Sequence, residues 1–97
     1  MRLTPEQAAI IRSAAAEVFG SDARVWLFGS RVDDAKRGGD IDLLIEAQRK
    51  PALQQTLTVQ ARLEQQLGTP VDLITSSPEV SQTPIMHIAR LTGVPLA

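Results

Sequence analysis

The chain has 97 residues, 43% of them hydrophobic and 22% charged, which suits one folded domain and leaves too little apolar surface for two cores. A formal net charge of -1 lacks the basic field that gathers phosphate backbones, so autonomous nucleic-acid binding is not expected. The absence of cysteine excludes disulfides, thiolate metal sites and thiol nucleophiles. The amino terminus turns polar at once and no apolar run approaches the ~20 residues of a membrane span, so the expectation is a cytoplasmic protein without membrane contact.

Thr4 reads as an N-cap, Pro5 as a first helical residue and Gln7 as the return arm of a capping box, and Gly20 is a natural stop. The signals predict a helix over 5–19. Ala8, Ile11, Ala15 and Val18 fall on one stripe of it and should face the core. Val25-Trp26-Leu27-Phe28 is a short, unbroken apolar run, as expected of a strand covered on both faces and ending at Gly29. Residues 31–39 mix charges and paired glycines without apolar period and read as a solvated loop. From Asp40 to Glu46 the pattern alternates: Asp40, Asp42 and Leu44 point one way from a strand, and Ile41, Leu43 and Ile45 the other.

Pro51 opens a second helix running to about Leu67, ended by Gly68. Its broad apolar arc places Val59, Leu63 and Leu67 beside Leu53, Leu57 and Ala61. Val71 to Thr75 reads as a third strand, with Val71, Leu73 and Thr75 on one face and Asp72 and Ile74 on the other. Thr83 and Pro84 start a last short helix whose Ile85, Ile88 and Ala89 are expected to pack inward before Gly93 stops it.

Three acids and one turn carry the chemistry. Gly29 lets a phosphate approach the backbone N–H groups at a strand end, and the Ser30 hydroxyl adds a donor; taken alone, the pair reads as an ordinary strand-ending turn. Asp40 and Asp42, two apart on a strand, put two carboxylates on one face, where repulsion asks for a cation between them. Oxygen-only ligands select a hard ion, Mg2+ before Zn2+. The alternative is a pair of solvated acids at the mouth of a strand. Asp72 within Val-Asp-Leu-Ile would cost stability if buried alone, so it needs a metal or a reacting hydroxyl, unless its strand is an edge facing water. Arg31 could pair with phosphate oxygens or stand solvated in the loop. Lys36 and Arg37 carry no assigned role beyond a phosphate or partner contact, Asp33 and Asp34 read as solvated, and His87 as a surface or core imidazole.

Leu27-Phe28-Gly29-Ser30-Arg31, nine further residues, then Asp40-Ile41-Asp42-Leu43-Leu44-Ile45-Glu46, resembles the signature of the polymerase-beta-like nucleotidyltransferase superfamily, and more narrowly its minimal prokaryotic members. The likeness extends through Val71-Asp72-Leu73-Ile74 to Gly93-Val94, nearly the whole chain. It implies an α+β fold over residues 1–97: a mixed central sheet of about three to four strands flanked by about three helices. It further implies that Gly29 and Ser30 hold the triphosphate of ATP, with Arg31 at a basic position that commonly follows them and could contact it, that Asp40 and Asp42 bind two Mg2+ ions, and that Asp72 completes the acidic triad.

Minimal members are often antitoxins paired with an all-helical ribonuclease toxin of the HEPN class, onto a tyrosine of which they move AMP. The resemblance therefore implies a HEPN-type toxin as partner and substrate. This chain contains no tyrosine, so such an acceptor must come from another molecule. A second reading keeps the fold as a binding module that neutralises its partner by occlusion. A third, transfer to a small molecule such as an antibiotic, leaves little room in 97 residues for a substrate domain.

Overall fold

The computed structural model describes residues 3–29 and 41–96. Ser30, Arg31, Asp33, Asp34, Lys36, Arg37 and Asp40 lie outside the described residues. In chain order the elements are α1 (Pro5–Phe19), β1 (Arg24–Phe28), β2 (Ile41–Glu46), α2 (Leu53–Leu67), β3 (Val71–Ser76), α3 (Pro84–Thr92) and β4 (Val94–Pro95).

The four strands form one mixed sheet in the order β3-β2-β1-β4. β1 lies antiparallel to both β2 and β4, whereas β2 and β3 are parallel and joined by α2 as the crossover a parallel pair requires. This is the expected α+β architecture, three helices around a small mixed sheet. The fourth strand is only two residues long, and its Pro95 stands on an edge, where a missing N–H costs no ladder bond.

Helices cover both faces because each central strand is apolar on both. Val25 and Leu27 of β1 and Ile41, Leu43 and Ile45 of β2 pack with Ile11, Ala14 and Ala15 of α1 and with Val59 and Leu63 of α2. Trp26, Phe28 and Leu44 point the other way and pack with Met86 and Ala89 of α3. Full burial of side chains such as Ile11, Leu43 and Leu63 stabilises the fold by about 2 kcal/mol each.

Local signals set α1 as the sequence predicts. The Thr4 hydroxyl accepts from the Gln7 N–H at 3.1 Å, the Gln7 side chain accepts from the Thr4 N–H at 2.9 Å, and Gly20 ends the helix with φ of 108°. The later helices differ from expectation in rotation. α2 begins at Leu53, not Pro51, and Leu53 and Leu57 are 74% and 55% exposed while Val59 and Leu63 are fully buried. Leu57 and Val59 are two positions apart, about 200° around a helix, so a single sheet cannot cover both.

In α3 the inward residues are Met86 and Ala89, and Ile85 and Ile88 are exposed instead. Two anchors fix this rotation. Arg90 reaches Glu46 at 2.8 Å and Ser76 at 3.3 Å, and Gly93 presses so closely on β1 that a Cβ there would lie 2.8 Å from the Leu27 carbonyl oxygen.

Candidate active site

The strand registers decide which side chains share a place. Phe28 is the partner of Asp42 across the antiparallel ladder, and Asp42 is the partner of Asp72 across the parallel one. In-register partners point to the same side, so Phe28, Asp42 and Asp72 form one row on the α3 side of the sheet, its members about 4.8 Å apart from strand to strand. The next row is Trp26, Leu44 and Ile74, and the one beyond it Arg24, Glu46 and Ser76.

Gly29 follows Phe28 directly with φ of 76°, turning the chain at the end of β1 beside this first row. A Cβ built on it would stand 3.0 Å from Asp42 Cγ, and nearer still to Oδ2. The Asp42 carboxylate thus packs on the bare Cα of Gly29.

Of the residues singled out in the sequence, Gly29, Asp42 and Asp72 are brought together, and Ser30, Arg31 and Asp40 fall outside the described residues. Asp72 reaches this place by the second of the two routes the sequence left open. It is exposed and stands on an edge strand, so the cost of burying a lone acid, which argued for a ligand, does not arise. What supports a site is its register with Asp42. Two carboxylates on adjacent strands repel unless a cation lies between them. Asp42 is half-buried and already engaged by a neighbour.

The donor set suits a hard divalent ion: both described acids offer oxygen only, the chain has no cysteine, and His87 is exposed on α3. Among the described residues no group of three or more His, Cys, Asp or Glu comes together. A cavity of about 390 Å3, lined by Phe19, Asp22, Arg49, Lys50 and Gln55, lies past the far end of β2 and does not include the acids. The bare surface of Gly29 against Asp42 escaped the sequence reading. Its signal was there: a glycine one residue past a strand whose last residue faces an acid.

Residues 22–96 match the family described as Polymerase beta, Nucleotidyltransferase. The chain belongs to the polymerase beta nucleotidyltransferase family. The match runs from β1 to β4 and includes Gly29, Asp42 and Asp72, while α1 precedes it. No curated protein matches the chain. As a nucleotidyltransferase domain, the chain is of a kind that transfers nucleotides, with a nucleoside triphosphate as donor and a divalent metal as helper. Among the described residues, no helix is long and apolar enough to cross a membrane.

Proposed function

We propose that the chain is a Mg2+-dependent minimal nucleotidyltransferase that moves AMP from ATP onto a tyrosine of a partner ribonuclease toxin of the HEPN class, and so acts as a cytoplasmic antitoxin. The observation that carries this reading is the row of Asp42 and Asp72 beside Gly29 in a polymerase beta nucleotidyltransferase chain. Two further features favour a protein acceptor. The chain has no tyrosine of its own, and α3, on the acids' side of the sheet, exposes Ile85, Ile88 and Leu91 at 42%, 51% and 84%.

In this mechanism Gly29 and Ser30 offer backbone N–H groups and a hydroxyl to the triphosphate, and Arg31 pairs with its oxygens. Asp40, Asp42 and Asp72 would hold the metal, and a divalent ion there would supply neutralisation of phosphate charge. The acceptor's phenolic oxygen attacks the α-phosphorus, and its proton passes to the Asp72 carboxylate, which is exposed to an incoming partner. The bond from the α-phosphorus to the bridging oxygen breaks, leaving AMP esterified to the tyrosine and free pyrophosphate.

The test is to incubate the purified chain with ATP labelled on the α-phosphate, Mg2+ and the product of the neighbouring gene. Label on a tyrosine of that product is the expected result. A tight complex without label would leave a neutralising module that acts by occlusion, and neither label nor complex would end the antitoxin reading.

A further inference from the structure

We infer that Gly29 is a positioning residue for the Asp42 carboxylate: the space left by its missing side chain is the space against which that carboxylate rests. The inference rests on reading the acids as a metal site, and it gives Gly29 a task distinct from presenting N–H groups to phosphate. Two independent demands fall on this one residue. Its φ of 76° lies in the left-handed region, which glycine adopts freely and asparagine tolerates. The second demand falls on asparagine too, because any Cβ would come within 3.0 Å of Asp42 Cγ and 3.4 Å of its Cβ, so that the carboxylate must move.

Gly68 separates the two demands within the same molecule. It has a closely similar φ of 68°, but a Cβ there would meet nothing within 4 Å. Gly68 therefore measures the cost of left-handed backbone alone, and Gly29 that cost plus the collision with Asp42. The collision has a functional side. A ligating carboxylate binds well only when its rotamer is held by what packs behind it, and here the packing surface is backbone, which cannot swing aside. A methyl group at residue 29 would push the carboxylate out of its place in the row with Asp72.

Thermal melting of the metal-free chain and Mn2+ binding without nucleotide test this together. Gly29→Ala should lower Tm by about twice as much as Gly68→Ala, since it adds a clash to the same backbone strain. Asp42→Ala should remove the excess, so that adding Gly29→Ala to it costs no more than Gly68→Ala costs the wild type. Asp72→Ala, which leaves the clash in place, should give no such relief. Mn2+ affinity should fall about tenfold or more in Gly29→Ala and stay unchanged in Gly68→Ala.

If Gly29→Ala costs no more than Gly68→Ala, or if Asp42→Ala gives no relief, the inference is overturned. Should Gly29→Ala alone fail to fold, recovery of a folded chain in the double variant supports it and continued failure overturns it. Unchanged Mn2+ affinity in a folded Gly29→Ala overturns the positioning role. A wild-type chain that binds no Mn2+ removes the metal-site reading instead, and the melting cycle then decides the contact by itself.

Discussion

The α3 side of the sheet carries acids at both ends, and the two ends use them differently. At one end Glu46 meets Arg90 at 2.8 Å, Arg90 also donates to the buried Ser76 hydroxyl, and the Gln82 side-chain amide donates to that hydroxyl at 3.1 Å. At the other end, four residues earlier on the same strand, Asp42 stands in register with a second acid, Asp72, and packs against Gly29, a residue with no side chain. The strand pattern is the same, an acid on the same face in each case. Arg90 makes the first a structural tie, while at the second two like charges face each other across adjacent strands, the arrangement on which the proposed metal site rests.

The largest effect that would break this comparison is on activity. Asp42→Asn and Asp72→Asn should each lower nucleotidyl transfer by roughly a thousandfold, about 4 kcal/mol of transition-state stabilisation, because the charge that holds the metal is lost while shape is kept. Glu46→Gln, on the same face of β2, should leave transfer near the wild-type rate at temperatures where it is folded. Initial rates with labelled ATP compare the three directly. Equal losses in Asp42→Asn and Glu46→Gln would mean that the ends do not differ in kind.

The middle effect is on stability and runs the other way. Arg90 joins Glu46 and Ser76 and lies 5.8 Å from the centroid of the Trp26 ring, so Arg90→Met removes two hydrogen bonds and a cation–π contact at a partly buried place. The expected cost is about 1–2 kcal/mol, a fall in Tm on the order of 5–10 °C, read by circular dichroism. Transfer measured well below that Tm should persist.

What the sequence disclosed follows from the range of each interaction. α1 was legible from end to end because its caps, Thr4 with Gln7 and Gly20, are neighbours in the chain. That Asp42 and Ile74 take opposite faces from Leu43 and Leu73 was legible from the period of two. The rotation of α3 was not, since it depends on Arg90 finding Glu46, 44 residues away, and on Gly93 meeting the Leu27 carbonyl. The exposure of Asp72 was legible only as one of two alternatives. Its strand sits at an edge only because β2 pairs with β1 on its other side, and strand order is a property of the assembled sheet. Of the candidate site, the pairing of Asp42 with Asp72 and the turn at Gly29 emerge in the structure, and Ser30, Arg31 and Asp40 stand on the family signature alone.

The smallest effect is the sharpest test of the comparison, because its sign matters. Asp72 is exposed, its side chain has no ion pair or hydrogen bond among the described residues, and its in-register neighbour carries the same charge. Surface substitutions of this sort change stability by about 0.5 kcal/mol or less, and removing one of two facing like charges acts in the stabilising direction. Metal-free Asp72→Asn should therefore melt within about 3 °C of the wild type, and on the higher side if it differs. Added Mn2+ should raise the Tm of the wild type and not of the variant, since only an ion bound to the folded acids shifts the equilibrium. A metal-free variant that melts 5 °C or more below the wild type would make Asp72 a structural residue like Glu46, and the two ends of the sheet would then be alike.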